Sequence, residues 1–161
     1  MTHYRVKYLQ GYSVGVGAVV VHGDRALLIH RALGRGTGDW AIPSGFVDRG
    51  ETINVAVQRE VFEETGIQAE IEGLIAVRSR VTDEENSAYF IFLLRARDDE
   101  AIADGREVDE ARFFSVEEIQ ELPRLQKLSR LLVTMALKGE ASVLQFHTHP
   151  DIPATEYVIY A

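Results

Sequence analysis

Glu60, Glu63 and Glu64 stand at spacing i, i+3 and i+4 within Arg59-Glu60-Val61-Phe62-Glu63-Glu64. Residues so spaced share one face of a helix. Each like-charge pair there costs roughly 0.2–0.5 kcal/mol, and nothing apolar on that face offsets the repulsion. A hard divalent ion does offset it, because it takes carboxylate oxygens and keeps positions for water and phosphate. The segment therefore predicts a helix whose acidic face serves as a metal site.

The flanks fit that reading. Gly45, after Pro43-Ser44, is read as a backbone position open to glycine, with its carbonyl free to face an ion. Thr52 follows the turn Asp48-Arg49-Gly50-Glu51, and Ile53, Val55, Ala56, Val57, Val61 and Phe62 give the helix apolar material to pack. Gly66 stops it as a C′ glycine.

Residues 45–67 resemble the Nudix box, Gly-x5-Glu-x7-Arg-Glu-U-x-Glu-Glu-x-Gly-U, where U is a bulky apolar residue. Gly45, Glu51, Arg59, Glu60, Val61, Glu63, Glu64, Gly66 and Ile67 fill every specified position. Trp40-Ala41-Ile42-Pro43-Ser44 resembles the usual lead-in, with Ser44 where many members carry a second glycine. The resemblance implies a Nudix-type α/β/α sandwich around a mixed β-sheet. It also implies an enzyme: a pyrophosphohydrolase, dependent on Mg²⁺ or Mn²⁺, that cleaves a nucleoside diphosphate linked to another moiety.

Carried over residue by residue, the resemblance makes Glu60 and Glu64 the principal metal ligands, with Glu63 and the Gly45 carbonyl completing the sites. Arg59 would pair with Glu51 and hold the acidic face in register. Bound metal suits the chemistry, since in-line displacement at phosphorus develops charge on oxygen. A general base must take the proton of the attacking water. Glu63 is one candidate; Glu107 or Glu110, ahead of the expected strand Ala111–Phe114, would be a further carboxylate delivered from a loop.

Composition agrees with one such domain over 1–161, its core about 12–140, with a C-terminal tail 141–161. The 161 residues are 46% hydrophobic, enough for a real core. A net charge of −8 argues against a nucleic-acid polymer as partner, leaving a small nucleotide substrate. With no cysteine there is no disulfide, thiolate nucleophile or cysteine-bound zinc. Met1-Thr2-His3-Tyr4-Arg5-Val6-Lys7 has no apolar signal core and no run reaches membrane-spanning length, so a cytoplasmic location without membrane partner is expected. Self-association into a homodimer stays open.

Val14–His22 and Arg25–Arg31 read as a hairpin about His22-Gly23-Asp24. Gly34-Arg35-Gly36-Thr37-Gly38-Asp39 lacks the lysine and spacing of a phosphate-binding loop and reads as a mobile connector. Gln68–Val81 and Ala88–Ala96 read as strands around the polar turn at 82–86. Ser115 with Glu118 forms a capping box before a short helix, and Leu125–Lys138 is amphipathic. Strands mixed with few helices point to a sheet between helical layers.

Arg78 and Arg80 alternate onto one strand face and could both reach a pyrophosphate. Trp40, Tyr89, Phe90 and Phe92 are candidates for stacking a base or for the core. His147 and His149 lack a third ligand and read as ordinary tail. Among family members, the Ile42–Val47 lead-in is closer to enzymes acting on ADP-ribose or NADH-type dinucleotides than to those sanitising triphosphates. Thr82 stands where ADP-ribose enzymes often have proline. ADP-ribose, an NDP-sugar or a dinucleotide is the favoured substrate. The alternatives are a house-cleaning nucleoside triphosphate pyrophosphatase and a nucleotide-sensing domain that binds without turnover.

Overall fold

The computed structural model describes residues 12–83, 86–147 and 159–161. Glu84 and Glu85 of the polar turn, His149 and the first residues of the chain lie outside that range. Among the described residues, nine strands and three helices follow in order. They are β1 (Tyr12–His22), β2 (Arg25–Arg31), β3 (Trp40–Ala41), β4 (Ser44–Phe46), α1 (Ile53–Thr65), β5 (Ala69–Val81) and β6 (Asn86–Ala96), then β7 (Val108–Phe114), α2 (Val116–Glu121), α3 (Lys127–Leu137), β8 (Phe146–His147) and β9 (Ile159–Tyr160).

Among the described residues, β1 to β7 form one mixed sheet. β1 runs parallel to β6, pairing Tyr12 with Asn86 through to Val21 with Arg95, whereas β5 is antiparallel to β6. The hairpin β1–β2 pairs only at Val21–Ala26 and His22–Arg25 before the strands part. β4 takes the freed edge of β1 at residues 15–17, and β7 lies along the far edge of β2.

A strand buried on both faces reads as a continuous apolar run, and the two parities of β1 show why. Val16, Ala18 and Val20 pack with Ala56, Val57 and Val61 of α1, joined by Leu27, Phe92 and Leu94. Val19 and Val21 face the other way, toward Ile119 of α2 and Leu132 and Val133 of α3, with Leu28, Ile91 and Phe114. Helices thus cover both faces of the sheet, the α/β/α sandwich expected. Val55 and Phe62, read as core-facing, are 41% and 53% exposed on the outer side of α1. The inner stripe at 56, 57 and 61 already fills the sheet face.

Gly66 ends α1 in the left-handed conformation, its N–H bonded to the Phe62 carbonyl. Ser115 and Glu118 form the full capping box on α2. Val108 opens β7 three residues before the expected start, so Glu110 lies within the strand, paired opposite His30. The described tail packs back on the body. Leu144 exchanges both backbone hydrogen bonds with Leu74, and the Tyr160 ring meets Phe92 edge-on at 5.2 Å. Among the described residues no helix is long and apolar enough to cross a membrane.

Candidate active site

A cleft of about 1140 Å³ opens where β1, β4, β5 and β6 meet the acidic face of α1 and the start of α3. Glu60, Glu63, Glu64 and Arg59 line one side; Arg78, Arg80 and Tyr89 line another. Helical spacing brings the carboxylates together, and β4, packed beside α1, presents Ser44 and Gly45 to them.

Arg59 organises the acidic side. Its Nε donates to Glu51 Oε2 at 3.1 Å and its Nη2 to Glu51 Oε1 at 2.7 Å, a planar two-point grip. Nη1 reaches Glu60 at 2.9 Å and Glu63 at 3.2 Å, and Nη2 also donates to the Phe46 carbonyl at 3.0 Å. The Arg59 hydrogen bonds hold the Glu51 carboxyl below the usual carboxylate range, and Glu51 in turn raises the pKa of Arg59.

Glu64 is the buried member, 4% exposed, with one carboxylate oxygen accepting the Ser44 N–H at 2.8 Å. Burial lifts its carboxyl to about 8, with Glu60 and Glu107 adding repulsion against Ser44 and Arg31. Burial also raises Glu60, opposed by Arg59 and assisted by Glu63 and Glu107.

Gly45 has no positive φ, so the expectation of a backbone angle reserved for glycine is corrected. The residue supplies space: a Cβ at Gly45 would overlap the Glu60 carboxyl group. Absence of a side chain, rather than freedom of the main chain, lets α1 press its carboxylate against β4.

Glu107 lines the cleft, whereas Glu110 does not: it pairs with Arg112 at 3.3 Å on the exposed side of β7. The Asp104 carboxylate accepts from the N–H groups of Arg106, Glu107 and Val108 and so shapes the turn carrying Glu107. The Glu107 carbonyl takes the Ala32 and Leu33 N–H groups, tying that turn to the end of β2.

Trp40 is corrected as a base-stacking candidate. It is 9% exposed, packed on Phe114 at 5.0 Å and His30 at 5.3 Å, and contributes nothing to the cleft wall. Phe92 is fully buried and Phe90 packs against the α1-side core, leaving Tyr89 as the aromatic of that group in the cleft. Arg31 was not anticipated. It sits at the register break ending β2, and its guanidinium donates to the hydroxyl and carbonyl of Ser44. A charged residue two positions past the apolar run Ala26–Ile29 was the only sequence signal for it.

Among the described residues no three carboxylate or imidazole groups are gathered into a ready-made cation cage. Arg59 occupies Glu60 and Glu63, and the Ser44 amide occupies Glu64. The donors are all hard oxygens, one of them buried, which is the chemistry a divalent ion of the Mg²⁺ type requires.

Residues 11–134 match the NUDIX domain family, and the chain belongs to that family. It is 32% identical over 120 residues to Nudix hydrolase 8 of Arabidopsis thaliana, covering 71% of this chain and 32% of that protein. It is 34% identical over 116 residues to the ADP-ribose pyrophosphatase of Methanocaldococcus jannaschii, covering 70% of this chain and 66% of that one. The chain thus spans less than two thirds of the length of these curated relatives. Among solved structures, the MutT NUDIX hydrolase of Burkholderia pseudomallei superposes with a TM-score of 0.65 at 29% identity, over 76% of this chain and 95% of that one.

Proposed function

We propose that this chain is a divalent-metal-dependent pyrophosphohydrolase acting on a nucleoside diphosphate linked to a second moiety, with ADP-ribose or an NDP-sugar favoured. The observation that carries the reading is the buried Glu64 carboxylate facing Glu60 and Glu107 beside a cleft lined by Arg78 and Arg80. Two oppositely charged walls suit a substrate that is anionic and needs a cation to approach carboxylates. The likeness to an ADP-ribose pyrophosphatase supports the substrate class.

Glu60 and Glu64 would be the principal ligands, with Glu63 and the Gly45 carbonyl available to complete the set. A bound Mg²⁺ or Mn²⁺ would polarise the phosphoryl oxygens and lower the pKa of its water. Arg59, gripped by Glu51, keeps the acidic side chains in register. Arg78 and Arg80 hold the diphosphate from the β5 side. Glu63 or Glu107 takes the proton of the attacking water.

The test is coupled turnover of ADP-ribose, NADH, diadenosine polyphosphates, NDP-sugars and dNTPs with Mg²⁺ or Mn²⁺, with and without EDTA. EDTA-sensitive cleavage of ADP-ribose or NDP-sugars is expected. Cleavage of dNTPs alone would move the reading to a triphosphate pyrophosphatase. Thermal stabilisation by ADP-ribose without turnover would move it to a sensing domain.

A further inference from the structure

Tyr89 lies across β1 rather than standing away from it. Gly15 is its partner on the parallel strand, and Gly17, two residues on, shares the same face. A Cβ on Gly15 would crowd the Tyr89 ring and one on Gly17 would run into its hydroxyl. These two glycines form a trough along which the ring reaches β4. Ser44, paired with Gly17 from the other edge of β1, adjoins the hydroxyl there and opposes the rise that burial imposes on its pKa. The Ser44 amide holds Glu64. The Arg78 guanidinium lies over the ring, 5.1 Å from the centroid. Arg78 is fixed a second time by its 2.7 Å hydrogen bond to the buried Ser87 hydroxyl.

From this geometry we infer that Tyr89 is a positioning residue with two separable arms: its hydroxyl seats Ser44 and thereby Glu64, while its ring aims Arg78 at the diphosphate. The inference rests on the hydrolase reading above for its kinetic test. It gives a purpose to Ser44, which stands just ahead of the Nudix box where a glycine would have no hydroxyl to offer. It also makes Tyr89 a support for Arg78, whose guanidinium covers the ring, rather than a platform for a base. Arg78, held at two points before substrate arrives, loses little freedom on binding.

The two arms separate in variants. Tyr89→Phe keeps the ring and removes the hydroxyl, so kcat for ADP-ribose falls at least about fivefold, the cost of one ordinary hydrogen bond, while KM stays within about twofold. Tyr89→Leu removes both arms and also raises KM by about fivefold or more. Ser87→Ala raises KM and spares kcat. Ser44→Ala breaks the first arm from the other side, and the Ser44→Ala/Tyr89→Phe double variant is no slower than the worse single variant. A direct readout needs neither metal nor turnover. In the metal-free protein, amide hydrogen exchange at Ser44 quickens about tenfold in Tyr89→Phe while the core amides of β6 keep their protection.

A base-stacking role predicts the opposite pattern, with Tyr89→Phe fully active and Tyr89→Leu changed in KM alone; that result overturns the inference. Additive losses in the double variant, or unchanged Ser44 exchange, overturn it as well. If the wild-type protein cleaves nothing in the panel, the hydrolase reading falls separately, and the exchange measurement still decides whether Tyr89 seats Ser44.

Discussion

Arg59 and Glu51 meet edge to edge, two nitrogens on two oxygens at 3.1 and 2.7 Å, across the loop that joins β4 to α1. Glu51 Oε1 also accepts the Asp48 N–H at 2.7 Å, so one carboxylate fastens the loop to itself and to the helix. The pair acts as a clasp on the acidic face.

Lysine keeps the charge of Arg59 but lacks its fork. Arg59→Lys and Glu51→Gln should each lower stability by about 1–3 kcal/mol, the cost of a broken charged hydrogen-bond pair, and loosen Glu60 and Glu63. Because Arg59 depresses the folded-state pKa of Glu51 below 4.5, that stabilisation is present above the unfolded value and fades as pH falls through the folded one. Melting curves at pH 7 and pH 3 check this. The gap between wild type and Glu51→Gln narrows at the lower pH.

Glu64 has the reverse sign. Its carboxyl titrates near 8 when folded against 4.5 as a free group, so folding favours the protonated form. Metal-free stability from this group is full below pH 4.5 and is lost as pH rises toward 8. Glu64→Gln should therefore melt at least ~2 °C above wild type at pH 8 without metal, and close to it at pH 4. Added Mn²⁺ should raise the wild-type melting temperature and leave Glu64→Gln nearly unmoved. A variant less stable than wild type at pH 8 without metal would contradict the assignment. Glu60→Gln and Glu64→Gln should each cut kcat more than about tenfold, since each removes an anionic oxygen donor from the proposed metal site.

Gly45→Ala places a methyl group in the volume of the Glu60 carboxyl. The flexible glutamate can swing aside, so melting temperature should drop by only about 2–4 °C, a change near 1 kcal/mol. Turnover should fall more than about tenfold as the displaced carboxylate loses its geometry. Equal loss of both quantities would mean that β4 itself had shifted.

Glu107 and Glu110 separate a cleft residue from its neighbour. Glu107→Gln should lower kcat and alter its pH profile, as expected of a carboxylate near the reacting water. Glu110→Gln, on the outer side of β7 with Arg112, should leave turnover within about twofold and stability within about 0.5 kcal/mol.

The helical spacing at 60, 63 and 64 and the stop at Gly66 were enough to place α1 and its acidic face, because both depend on neighbours in sequence. The Ser115–Glu118 box was legible for the same reason. Apolar runs in β1 and β2 gave the strands. They could not give the parallel pairing of β1 with β6, which depends on residues far apart, or the parting of β1 from β2 that makes room for β4. Trp40 stayed open between stacking and core because an aromatic beside a loop looks the same in sequence whether it faces solvent or Phe114. Gly15 and Gly17 were visible, but nothing local named Tyr89 as the side chain that fills the space they leave. Arg31 was hidden by its position at a strand end, where a charged residue is ordinary.

The parallel junction of β1 with β6 also sets when the cleft comes into being. The Gly15–Gly17 trough and the Tyr89 ring that fills it arrive from strands separated by β2 to β5 and α1, so they meet only after that whole stretch has been closed into a loop. Helix α1 can fold early on local contacts, yet its carboxylates gain their second wall only when β6 docks. As the chain is synthesised, an acidic helix therefore precedes any complete pocket. The two-walled site therefore needs the β1–β6 pairing at the centre of the sheet.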